Sequence, residues 1–120
     1  MLPGQARMRQ REDFAAAVRG GSRSSRPLLT GHLLVSRDSE EPARAGFIVS
    51  KAVGSAVVRN KVRRRLRSAV AGYLRSLPGG SLLVVRAHPQ AATARQADLA
   101  ADLDLVMRRL LRRQVGAPSR

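Results

Sequence analysis

The sequence predicts an α+β fold, a small mixed β-sheet covered by helices in the order α-β-β-α-β-α, and three observations carry that expectation. Apolar residues recur every three or four positions in the stretches around 10–19, 57–77 and 96–110, which is helical spacing with one buried stripe. Between them lie short runs rich in Leu, Val and Ile, the composition of strands. The chain has 120 residues, enough for one modest core and too few for two. Residues 1–120 are therefore expected to form a single domain, with flexible ends at 1–8 and 115–120. The helices should cover one face of the sheet and leave the other at least partly open.

The first element reads as a helix from Gln10 to Arg19. Glu12 and Asp13 occupy its first turn, where the macrodipole favours acids, Phe14 and Val18 share one face, and Gly20-Gly21 ends it. Arg26-Pro27 leads into a strand over Leu28–Ser36, in which Gly31 suggests a bulge or break. Asp38-Ser39-Glu40-Glu41-Pro42 is a polar turn, and Gly46–Ser50 reads as the partner strand of a hairpin. Lys51 to Ser55 forms a loop, with Ser55 placed to cap the helix that follows. From Val57 to Leu77 the stripe is Val58, Val62, Leu66, Val70, Tyr73 and Leu77, and Pro78-Gly79-Gly80 stops the helix. The continuous run Leu82-Leu83-Val84-Val85 suits an interior strand. Thr93 and Gln96 have capping-box spacing before a last helix whose buried side is Leu99, Leu103, Val106 and Leu110. Its acids come early and its arginines late, as the macrodipole prefers.

Charge narrows the partners. Lys and Arg total 23 against 8 Asp and Glu, a net +15 that repels itself and calls for a polyanion. Only Lys51 and Lys61 are lysines, so nearly every base is a planar guanidinium suited to phosphate, although genomic base composition explains that ratio equally well. Residues 42–97 contain no carboxylate, and within them Arg59 to Arg67 reads RNKVRRRLR, six cations in nine residues. Charge runs are usually solvated helix faces. Here like charges three and four residues apart oppose the helix, which favours an anionic partner over that reading.

Cysteine is absent, which excludes disulfides, thiolate catalysis and zinc knuckles and fits a reducing, cytoplasmic location. No apolar stretch is long enough to span a bilayer, and the first ten residues do not resemble a signal peptide. No protein active site is evident. His32 and His88 are isolated and read more readily as structural or surface residues, and helix N-terminal solvation accounts for Asp98 and Asp102 more simply than a bound metal does. Basic-zipper heptads, zinc spacing and an RNP-type aromatic sheet are all missing.

Phe47-Ile-Val-Ser-Lys51-Ala-Val-Gly54-Ser-Ala-Val-Val-Arg59-Asn60-Lys61-Val-Arg63-Arg64-Arg65-Leu-Arg67 closely resembles the signature of the bacterial ribonuclease P protein component. The likeness extends to Arg11-Glu12-Asp13-Phe14 and to Val84-Val85-Arg86-Ala87, and so covers nearly the whole chain. It implies a protein that assists a catalytic RNA, which with magnesium removes the 5′ leader of precursor tRNA. The magnesium would be held by the RNA subunit and substrate and not by the protein. The partners implied are ribonuclease P RNA and precursor tRNA, with one protein per RNA and no membrane.

The resemblance places the RNA-subunit contact on Arg59, Asn60, Lys61, Arg63, Arg64, Arg65 and Arg67, where Lys61 replaces an arginine and so loses the bidentate fork. It places a leader-binding cleft on Phe14, Val18, His32, Lys51 and Arg86, formed by the first helix and the sheet face. Val18 stands where many relatives carry an aromatic residue, and Phe14 also reads as ordinary core. The family fold, shared with ribosomal-protein and elongation-factor-like sandwiches, implies a left-handed βαβ crossover through the basic helix, against the general right-handed rule. Two rival readings stand beside this one: a ribosome-associated RNA-binding protein with no catalytic association, and a nucleoid-type duplex DNA binder.

Overall fold

A computed structural model describes residues 11–35 and 41–116. The order is α1 (Arg11–Gly20), β1 (Ser22–Ser25), β2 (Leu29–Leu34), β3 (Arg44–Ile48), α2 (Ala56–Ala71), β4 (Leu82–Ala87) and α3 (Gln96–Gly116), with 3-10 turns at Lys51–Val53, Leu74–Ser76 and Pro89–Ala92. The α+β class and its mixed sheet are as expected. The expected flexible end at 1–8, residues 117–120 of the expected flexible end at 115–120, and most of the polar turn lie outside the described residues; 115 and 116 belong to α3.

The four strands stand in the order β1-β2-β4-β3. Strand β4 lies inside the sheet because Leu82, Leu83, Val84 and Val85 are buried on both faces. This corrects the expected hairpin: Gly46–Ser50 does not pair with the Leu28–Ser36 segment. Instead β3 runs parallel to β4, with Phe47 opposite Val85, and β2 runs antiparallel to β4, with Leu33 opposite Leu83. The hairpin that does form joins β2 to β1, closed where the Arg26 N–H donates to the Leu29 carbonyl at 2.8 Å.

Side chains alternate between two unlike sheet faces. Leu29, Leu33, Ala45, Phe47, Leu83 and Val85 face α2 and α3 and join the main core with Val62, Leu66, Val70, Leu99, Leu103, Val106 and Leu110. On the other face α1 covers Leu82 and Val84 with Ala17, and Phe14, Val18, Leu34 and Ile48 pack around them. The expectation that all helices share one face is thus corrected, since α1 takes the second face; the rest of that face stays open along Arg23, Ser25 and Arg86.

Two glycines set close approaches. A Cβ on Gly21 would lie 2.6 Å from the carbonyl oxygens of Ala17 and Leu33, so only glycine lets the chain leave α1 and enter β1 there. Gly31 produces no bulge: β2 is paired on both sides through it. Its missing side chain makes room for α3, because a Cβ would meet Val106 Cγ1 at 2.6 Å and Leu110 Cδ1 at 3.2 Å.

Candidate nucleic-acid interface

Helix α2 begins where the sequence places it. Ser55 is extended, and its hydroxyl accepts the Val58 N–H at 3.3 Å. Val62, Leu66 and Val70 are buried and fix the helix by one stripe. The helix ends at Ala71, one turn and a half before the expected Leu77; Gly72 and Tyr73 turn the chain into a 3-10 segment, yet Leu77 still reaches the core. Thr93 does not cap α3, which starts at Gln96, so Thr93 ends the preceding 3-10 turn. The Gln96 amide instead donates to the Arg65 carbonyl, at 3.5 Å.

Turning away from the core, α2 presents its cations to solvent in two groups. Lys61, Arg64, Arg65, Ser68 and Gln96 line a shallow pocket of about 330 Å³ between α2 and the start of α3. Val57, Asn60, Arg63, Arg64 and Arg67 line a second, of about 500 Å³, on the other side of the helix. Arg64 is exposed on the ridge shared by both. Arg65 donates to the Ala94 carbonyl at 3.0 Å, and Arg63 to the Asn60 side-chain oxygen at 3.2 Å, so these two are held in place. The Nε of Arg59 is buried with no hydrogen-bond partner among the described residues. No carboxylate among the described residues pairs with Arg59, Lys61, Arg63, Arg64 or Arg65; Asp102, Asp13, Asp98 and Asp104 pair instead with Arg26, Arg44, Arg95 and Arg108. This arrangement attracts anions and presents donors to them.

The second sequence-predicted group comes together in part. Phe14 and Val18 are half-buried on the α1-covered patch, and across the same sheet face His32 sits beside Val84 and in register with Arg23. Arg86 is exposed on this face, opposite Thr30, whereas Lys51 lies beyond β3 at the rim. His32 is only 7% exposed and its Nδ1 has no partner among the described residues. Burial, followed by the charges of Arg23 and Arg86, pushes its pKa below the ordinary histidine value.

Sequence reasoning missed Arg23, because Ser22-Arg23-Ser24-Ser25 carries no apolar strand signal. It also missed the chain of hydrogen bonds beside it, in which Ser25 Oγ, Thr30 Oγ1 and His88 Nε2 are linked by two contacts of 2.8 Å, and His88 Nδ1 lies 3.0 Å from the Pro27 carbonyl. No local pattern announces it, since His88 and Thr30 are 58 residues apart. Asp102, read as solvating a helix start, instead accepts the Leu28 N–H at 3.0 Å and the Arg26 Nε at 3.4 Å, tying α3 to the β1–β2 turn. Among the described residues no group of three or more His, Asp or Glu side chains is placed to hold a metal ion, and no helix is long and apolar enough to cross a membrane.

Fold and surface together define a small α+β sandwich that concentrates cations on one helix and leaves part of the opposite sheet face open. Residues 2–111 match the family model described as Ribonuclease P. The ribonuclease P protein component of Streptomyces bikiniensis is 56% identical over 118 residues, covering 92% of this chain and 96% of the relative. A structure of the Staphylococcus aureus RNase P protein superposes with a TM-score of 0.76 at 21% identity, covering 86% of this chain and 93% of that one. The RNase P protein from Thermotoga maritima gives a TM-score of 0.69 at 21% identity, covering 85% and 96%. The chain belongs to the ribonuclease P protein family.

Proposed function

We propose that this chain is the protein subunit of ribonuclease P, binding the catalytic RNA through α2 and the 5′ leader of precursor tRNA through the open sheet face beside α1. It acts in the cytoplasm as one protein per RNA, and the magnesium ions of the reaction are held by RNA and substrate. The observation that supports this best is Arg64, exposed on the ridge between two cation-lined pockets with no carboxylate beside it among the described residues. Phosphate oxygens entering either pocket meet guanidinium groups already held by Ala94 and Asn60, so little side-chain entropy is lost on binding. On the sheet face, the half-buried Phe14 supplies an aromatic ring for stacking while Arg23 and Arg86 flank His32 with positive charge.

By offsetting phosphate repulsion where two RNAs meet, the protein raises substrate affinity and magnesium occupancy at low magnesium. The test is reconstitution: the chain, a bacterial ribonuclease P RNA and a precursor tRNA are mixed at low magnesium, and cleavage at the mature 5′ end is measured. Cleavage that neither partner gives alone is expected. Replacing Arg64 with Gln should weaken RNA binding and flatten the log Kd against log salt slope by about 0.7 to 0.9, one phosphate contact. Tighter binding to duplex DNA than to this RNA, or RNA hydrolysis by the protein alone, overturns the reading.

A further inference from the structure

We infer that the C-terminal half of α3 is a second, independent contact for RNA phosphates, reaching a backbone segment other than the one held by α2. The inference rests on the ribonuclease P reading above. Arg109, Arg112 and Arg113 lie three and four residues apart, so they share one helix face, and all three are exposed. Earlier charges are paired, Arg95 just before the helix with Asp98 and Arg108 with Asp104, but Arg109 and Arg112 have no carboxylate partner among the described residues. Arg113 donates to the backbone carbonyl of Arg23, which ties the arginine face to the edge strand β1.

Compensation of the helix dipole does not account for the group. That effect falls off beyond the last turn, and α3 runs to Gly116, so Arg113 alone is the last-turn base; Arg109 and Arg112 come before it. Nor does the face suit a lipid surface, which needs an apolar stripe to bury. Leu105, 47% exposed, is the one exposed large apolar side chain on α3 among the described residues. What the face offers is guanidinium forks without an apolar floor, the chemistry that recognises phosphates.

Position makes this contact independent of α2. Among the α2 cations Arg65 meets α3 at its start, through Ala94 and Gln96, and Arg109 follows Gln96 by thirteen residues, about 20 Å along the helix at 1.5 Å per residue. At physiological salt the Debye length is about 8 Å, so the two groups do not share one phosphate or one counterion cloud. They gather different parts of a folded RNA.

The experiment uses the full chain and a bacterial ribonuclease P RNA. In the double variant Arg109→Gln/Arg112→Gln, the log–log salt slope of binding should fall by about 1.4 to 1.8, two contacts, which is about 25- to 60-fold in Kd at 0.1 M salt relative to 1 M. The loss should add to that of Arg64→Gln. Because the chain has no cysteine, Leu105→Cys and Val57→Cys each give a single attachment point for an iron chelate. Hydroxyl radicals from position 105 should cut an RNA segment distinct from that cut from position 57. An unchanged slope in the arginine double variant, or no cutting from position 105, overturns the second contact. If Arg64→Gln lowers the slope in that same experiment, the subunit assignment survives; a wild-type chain that does not bind the RNA overturns both. Loss of binding to phosphatidylglycerol vesicles with RNA binding intact also overturns it.

Discussion

Gly31→Ala tests whether α3 is seated on the sheet as closely as the structure shows. The added methyl would sit 2.6 Å from Val106 Cγ1 and 3.2 Å from Leu110 Cδ1, against ordinary carbon contacts of about 3.5 to 4.0 Å. Neither neighbour can give way easily. Val106 and Leu110 are both 0% exposed, Val106 is β-branched and stiff about χ1, and β2 is held by ladders on both sides. Overpacking of this kind costs about 1 to 3 kcal/mol, and in a chain of this length that lowers Tm by roughly 5 to 15 °C. Val106→Ala alone also destabilises the protein, by leaving a cavity. In the double variant the new methyl of residue 31 enters that cavity, so the double variant should be more stable than the sum of the two losses by at least about 1 kcal/mol. Urea denaturation of the four proteins measures this. Strict additivity, or a Gly31→Ala protein within about 0.5 kcal/mol of wild type, would refute the close-approach argument.

Tyr73 donates to Asp104 at 2.6 Å, and burial followed by that bond and the Asp104 charge raises its pKa from 10.0 to about 12. The folded protein holds the phenol proton more tightly than the unfolded chain, so this stabilisation is complete below pH 10.0 and is lost as pH rises toward about 12. Thermal melts across that range should show a steeper decline for wild type than for Tyr73→Phe; parallel declines would rule the bond out as the cause. Asp102→Ala strips the acceptor from the Leu28 N–H and the Arg26 guanidinium and should cost about 1 to 3 kcal/mol in denaturant titrations, with Asp102→Asn costing less. Equal losses for the two variants would assign the effect to packing.

The helices and the cationic surface were legible because both are local. A 3.6-residue period places Val62, Leu66 and Val70 inward whatever the rest of the chain does, and the arginines between them must then face out. Ser55 was readable for the same reason, since a cap depends on the three residues after it. Strand partners were not. Nothing near Gly46–Ser50 says that it pairs with a segment beyond α2, and the adjacent-strand preference suggested the hairpin instead. Strand β1 escaped because its four residues are three serines and an arginine, made a strand by pairing with β2 and by α3 packing behind it. Thr93 illustrates the same limit in reverse: the capping-box spacing is present, but Gln96 is drawn to the Arg65 carbonyl and the helix starts later.

The cationic helix must fold before it meets RNA, and the magnitudes show that it can. Burying Val62, Leu66 and Val70 supplies about 1.5 to 3 kcal/mol each. Against this stand like-charge pairs at three- and four-residue spacing, Arg59 with Arg63, Lys61 with Arg64 and with Arg65, Arg63 with Arg67 and Arg64 with Arg67, each costing about 0.2 to 0.5 kcal/mol. Burial outweighs the repulsion by several-fold, so the like charges alone do not unfold α2. Salt should therefore act on folding and binding with opposite signs. Screening the repulsion raises Tm modestly between about 0.05 and 0.5 M KCl, while the same salt weakens RNA binding by reducing the entropy gained on counterion release. A Tm that falls over this range would mean that attractive pairs, not repulsive ones, dominate the surface of the free protein, and the case for an anion-seeking α2 would fail with it.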